Sequence, residues 1–105
     1  MNQGLAGPAA ERQMCRMFSD NAARQRYELE HENGPSFADY RDQRDVRAIL
    51  HVETPVAARG RGHAAQLMEA IVADARERGL KVLPLCSYAA AYFRRHAASQ
   101  DVRAG

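Results

Sequence analysis

Between Arg26 and Glu32 the chain alternates: Tyr27, Leu29 and His31 fall on one side of an extended segment, and Glu28, Glu30 and Glu32 on the other. This period of two predicts a strand, and the Asn33-Gly34 pair that follows is a strong two-residue hairpin signal. Ser36 to Arg41, with Phe37 and Tyr40, is expected to pair back as a second strand, and Asp42 to Asp45 forms the next turn. Val46 to Glu53 alternates without a break. It places Val46, Ala48, Leu50 and Val52 on one face and Arg47, Ile49, His51 and Glu53 on the other, and this third strand ends at Pro55.

After a glycine-containing turn the period changes. Ala64, Leu67, Met68, Ile71, Val72 and Ala75 recur at helical spacing, with charges at Glu69, Asp74, Arg76 and Glu77 between them and Gly79 as the stop. Leu80 to Cys86 reads as a short buried strand; a strand-helix-strand crossover makes it parallel to the third strand, with a right-handed connection. Ser87 is available to cap a short helix marked by Tyr88, Ala91, Tyr92 and Phe93 and ending near His96. Ahead of the strands, Met14, Met17 and Phe18 are spaced for a turn or two of helix. The expected organisation is an N-terminal extension over 1–24, flexible or briefly helical, a compact unit over 25–97 and a loose tail over 98–105. The class is α+β with an α/β-like crossover: a three-strand antiparallel meander, a helix, a fourth parallel strand and a short C-terminal helix.

Composition narrows the class of partner. At 105 residues, with 46% hydrophobic and 27% charged residues, the chain is one ordinary globular domain. Fifteen basic and thirteen acidic residues leave a net charge of only +2. The signs are interleaved, as in Arg41-Asp42-Gln43-Arg44-Asp45, so no strong basic field for nucleic acid is expected. Cys15 and Cys86 are too far apart for a CxxC pair and offer no metal or disulfide framework; no metal is expected, and a reducing cytoplasm fits. No apolar run approaches the length of a membrane span, and the N-terminus has no continuous apolar segment of the kind that directs secretion.

Chemistry concentrates in Val56-Ala57-Ala58-Arg59-Gly60-Arg61-Gly62-His63-Ala64, between the third strand and the long helix. Two glycines let backbone approach an anion closely, the first helical amides have no intrahelical partner, and the helix N-terminus carries partial positive charge. Arg59 and Arg61 add charge-assisted contacts. The same glycines would also serve a strand that merely reverses tightly into a helix. The turn is neither a Walker A loop, which needs Gly-Lys-Ser/Thr, nor a Rossmann fingerprint.

Arg59, Gly62 and Ala64 fill the fixed positions of an R-x-x-G-x-A pattern that resembles the acetyl-CoA signature of the GNAT acetyltransferase superfamily. His51-Val52-Glu53-Thr54-Pro55, Gly79 to Ser87 and Tyr92-Phe93-Arg94-Arg95-His96 are similar, in order and spacing, to the small stand-alone GNAT-like family, so the resemblance spans roughly Tyr27 to His96. It departs after His96, where Ala97-Ala98-Ser99 replaces the family's proline and acidic or aromatic residues, and in the unmatched N-terminal extension. The resemblance implies a minimal GNAT fold in which the strands before and after the helix splay apart around the pantetheine arm. Pro84, which has no N–H to donate, suits either that break in pairing or an edge strand.

The resemblance further implies acetyl-CoA as cosubstrate, held by Val52, Thr54, Arg59, Gly60, Arg61, Gly62, His63, Ala64, Cys86, Tyr92 and Arg95. It also implies transfer of the acetyl group to a primary amine of a protein or small molecule by direct attack. Glu53 or His51 would relay the amine proton, a backbone N–H within Glu53 to Val56 would hold the oxyanion, and Cys86 would contact substrate or protonate the leaving thiolate. Each has a plainer alternative: His51 as a strand residue, Glu53 facing solvent, Cys86 buried, and Tyr88 and Tyr92 as packing with a proton-donor role as the lesser option. The alternative function is a non-catalytic CoA-binding sensor or scaffold. An open acceptor face is expected on a monomer or homodimer, with neither membrane nor nucleic acid as partner.

Overall fold

The computed structural model describes residues 18–32 and 34–104. Met14, Cys15, Met17 and Asn33 lie outside the described residues. The elements are β1 (Phe18–Asn21), β2 (Arg26–Leu29), β3 (Ser36–Gln43), β4 (Val46–Glu53), α1 (His63–Arg78), β5 (Lys81–Pro84) and α2 (Ser87–Arg95). Among the described residues, three 3-10 turns, Ala22–Arg24, Val56–Ala58 and Ala97–Val102, join these elements or follow them. The five strands lie in sequence order, antiparallel from β1 to β4, with β5 parallel to β4 at the edge. This is the expected α+β architecture with one antiparallel strand more than the meander.

The extra strand comes from the segment expected as an extension. Phe18–Asn21 pairs with β2 from Phe18↔Leu29 to Asn21↔Arg26. Hydrophobic alternation hides it because Asp20 lies opposite the core residue Tyr27. Its carboxylate meets buried Arg47 (3.0 Å) and Arg78 (3.1 Å), and it also accepts from Tyr40 Oη. Arg47 adds a two-point contact with Asp42 (2.6 and 2.8 Å) and donates to Tyr27 Oη (2.9 Å), which in turn donates to Asp74 (2.7 Å). The guanidinium carbon lies 4.0 Å from the Tyr40 ring centroid. Every polar group of this clasp is partnered, as burial of charge requires.

The alternation of β4 is interrupted. Asp39 pairs with His51 and Tyr40 with Ile49, so Leu50 bulges out of the ladder. Before the bulge Arg47 and Ile49 are the buried residues, and after it Val52 packs against the core. Val46, Ala48, Leu50 and Val52, expected on one face, therefore do not all share one, and Leu50 is 39% exposed.

α1 lays Leu67, Met68, Ile71 and Ala75 on Tyr27, Leu29, Ala38 and Ile49, and ends at Gly79 in the left-handed conformation (φ 71°). Ala89, Tyr92 and Phe93 dock α2 into the same cluster. Its cap is Cys86, whose Sγ accepts from the Ala89 amide at 3.4 Å; Ser87, expected there, is already helical. The last residues are not a loose tail: Ser99 and Val102 are buried, Asp101 holds Arg76 with two contacts of 2.8 Å, and the Ala104 amide donates to Val82 O at 2.8 Å. Among the described residues no helix is long and apolar enough to cross a membrane, and no cluster of three or more His, Cys, Asp or Glu could hold a metal ion.

Candidate functional site

Two local events open a site at one end of the sheet. β4 and β5 pair from Val46↔Lys81 to Ile49↔Pro84. There β5 stops, with the amides of Leu85 and Cys86 both donating to Ile49 O (3.0 and 3.3 Å), while β4 continues to Glu53. Pro84 is thus both an edge-strand residue and the last paired position. Beyond it the strands part.

The connection from β4 to α1 begins with Pro55 and the 3-10 turn Val56–Ala58, anchored by fully buried Ala58. Arg59 then runs extended, and its Nε donates to Thr54 O at 3.3 Å. Gly60 and Gly62 have φ of 82° and 79°, values that residues with a side chain rarely adopt, and among the described residues a Cβ on either would meet no atom within 4 Å. The space beside both glycines is open. Gly62 caps α1 without a side-chain contact, and the first helical bond is Gln66 N–H to Gly62 O (3.0 Å). The amides of His63, Ala64 and Ala65 therefore have no acceptor within the helix.

These groups line a pocket of about 220 Å³, walled by Thr54, Arg59, Gly60, Gly62, His63 and, from the first turn of α2, Tyr88. The N-terminal turns of both helices thus border one cavity, and both dipoles direct partial positive charge there. A diphosphate suits this donor set: three amides lacking helical acceptors, an arginine and open space where side chains would intrude. Burial holds the Tyr88 phenol above its usual range against the pull of Arg95, so it keeps its proton at neutral pH.

The predicted residues are partly brought together. Thr54, Arg59, Gly60, Gly62, His63 and Ala64 line the pocket, and Arg61 is exposed on the same turn. Val52 packs against the core one residue from Glu53. His51 Nε2 and Glu53 Oε1 are 2.9 Å apart, both about half exposed, on the sheet side left open by the bulge. Cys86 sits half-buried where β5 leaves β4. Two expected cofactor residues do not line the pocket. Tyr92 is buried, its ring stacked on His96 (centroids 3.9 Å), and it lines a separate groove between the helices with Glu69 and Val72. Arg95 is exposed at the far end of α2.

Two contributors escaped sequence reasoning. Tyr88, read there mainly as packing, lines the pocket; its position two residues after the Cys86 cap was the available signal. His31 stacks on His63 with ring centroids 3.5 Å apart, and nothing in local spacing announces it.

With this geometry in view, comparisons with known proteins add two findings. Residues 26–102 match the family described as GCN5-related N-acetyl-transferase. A solution structure of a candidate GCN5-like N-acetyltransferase from Staphylococcus aureus is similar, with a TM-score of 0.61 and 25% identity over 84% of this chain and 87% of that one. No curated protein matches significantly.

Proposed function

The chain belongs to the GCN5-related N-acetyltransferase family, and from that premise we propose that it transfers the acetyl group of acetyl-CoA to a primary amine of a protein or small molecule. The observation that carries the CoA reading is the pocket at the strand split, where two left-handed glycines, three amides lacking helical acceptors and Arg59 converge. In this reading Arg59, Gly60, Gly62, His63 and Ala64 hold the diphosphate and Thr54 borders its approach. Tyr92 and Arg95 do not line this pocket, although the charge of Arg95 reaches Tyr88 at its wall.

Acetyl-CoA supplies an activated thioester whose acyl carbon takes the amine in place of sulfur. The chain's residues manage protons and position. An alkylammonium has a pKa of about 10.4 and must lose a proton before its nitrogen can attack. The His51–Glu53 pair, half-exposed on the face that the bulge turns outward, accepts it and passes it to solvent. A backbone N–H within Glu53 to Val56 serves the oxyanion. Tyr88, whose phenol keeps its proton, and Cys86 at the α2 cap are the groups available to return one to the departing sulfur.

Mass spectrometry of a broad amine and peptide panel with acetyl-CoA tests the proposal. Wild type is expected to add one acetyl group to some member. Glu53→Gln should lower the rate by about a hundredfold or more while CoA affinity is kept. CoA binding without transfer to any amine would favour the sensor reading instead.

A further inference from the structure

The β2–β3 connection and the first residue of β3 meet the β4–α1 connection and the first residue of α1 at three points. Ser36 Oγ and Thr54 Oγ1 share a hydrogen bond of 3.1 Å. Gly34 lies so close to Pro55 that a Cβ on it would come within 3.2 Å of Pro55 Cγ. The His31 ring lies flat on that of His63, with centroids 3.5 Å apart and 9° between planes. His63 opens α1 and lines the pocket, so this third contact bears directly on the amides at the pocket wall.

Within the stack His31 Nε2 and His63 Nδ1 are both buried and have no hydrogen-bond partner among the described residues. Neutral imidazoles tolerate this, because the buried nitrogen can carry the lone pair while the other carries hydrogen. A protonated ring has N–H on both nitrogens. One N–H would then be buried without an acceptor, and the charge would face the second ring.

We propose that His31 is a positioning residue for the anion-binding turn, holding the first turn of α1 through a neutral stack on His63 that loosens when a ring takes up a proton. The proposal rests on the reading of that turn as the CoA phosphate site and adds a residue from a separate connection. His63 faces His31 from α1 and Glu30 adjoins it after β2, while Arg59 and Tyr88 line the pocket beside His63 from the turn and from α2.

Burial, and then the field of His63, hold His31 below the ordinary histidine range against the opposing pull of Glu30. The stack is therefore intact above about pH 6.5, the ordinary value, and weakens as pH falls through the lowered one. A bound polyanion favours the charged form of an imidazole beside it and pulls the other way. The contribution of His31 is accordingly read as a ratio between wild type and His31→Phe, which keeps a flat ring without the titrating nitrogens.

The test pairs ligand-free NMR with CoA calorimetry between pH 8 and pH 5. In wild type the amide shifts of Gly60, Gly62 and Ala64 are expected to follow the midpoint of the His31 imidazole signal, and His31→Phe should lack that component. The variant should match wild type for CoA at pH 8, whereas at pH 5 wild type should bind about fivefold more weakly than the variant. His31→Ala should bind more weakly at both. Amides that ignore the His31 midpoint, or a wild-type to His31→Phe affinity ratio flat with pH, overturn the proposal. If wild type binds no CoA, the cosubstrate reading fails by itself and the ligand-free shifts alone decide on the stack.

Discussion

Gly62 allows backbone strain and anion repulsion to be separated at one position. Its φ of 79° is left-handed, and a Cβ there meets no atom within 4 Å, so Gly62→Ala brings conformational strain without a clash. That strain is about 1–2 kcal/mol, and each kcal/mol lowers the melting temperature of a domain this size by about 4–8 °C. Gly62→Glu carries the same strain, but its carboxylate sits at the positive end of α1, which returns about 0.3–1 kcal/mol. The Glu variant should therefore melt at or slightly above the Ala variant. Binding should order them the other way. A carboxylate roughly 5 Å from one phosphate charge costs about 3 kcal/mol at an effective dielectric of about 20, or about a hundredfold in affinity. Circular dichroism melts and calorimetric titration with CoA measure both quantities on the same samples. If the Glu variant binds CoA within about threefold of the Ala variant, the diphosphate is not at this turn. If the Ala variant loses much more than about 2 kcal/mol, the space around Gly62 is not open.

Three further outcomes concern the fold that holds the site. Arg47→Met should lower unfolding free energy by about 1.5–3 kcal/mol in urea titration, because it removes a buried guanidinium that donates to Asp20 and Tyr27, while Asp20 keeps Arg78 and Tyr40 as partners; an unchanged midpoint would mean the clasp adds nothing. Val102→Ala, which empties a buried position in the C-terminal 3-10 turn, should cost about 1.5–2.5 kcal/mol by the same assay, against almost nothing for a loose tail. Burial, with Asp20, pushes the Tyr40 phenol up to about 12, and burial, with Asp74, raises Tyr27 as well. Above the ordinary phenol value of about 10 the unfolded chain releases protons that the folded chain keeps. Stability should then fall as pH rises from about 10 toward 12; Tyr40→Phe should flatten part of that slope, and an equal slope in the variant would exclude Tyr40 as a source.

What the sequence determines by itself is whatever depends on neighbours along the chain. Apolar spacing in α1, Gly79 at its end and two glycines before its start specify a strand-turn-helix unit, and with it amides that lack helical acceptors. The extent of β4 and the parallel return of β5 follow from the same local logic, and matched motifs in order were enough to point to the family. What depends on partners far away in sequence was not legible. Asp20 reads as a poor strand residue until Arg47 arrives from 27 positions away, so β1 passes for an extension. The bulge at Leu50 arises from register against β3, and it turns His51 and Glu53 to the open face. Helix phase in α2 was visible, but docking alone decides that Tyr88 meets the pocket while Tyr92 enters the core. The meeting of His31 with His63 is decided the same way, by two connections packed together, because local periodicity records which face a residue takes and only tertiary contact determines what it faces.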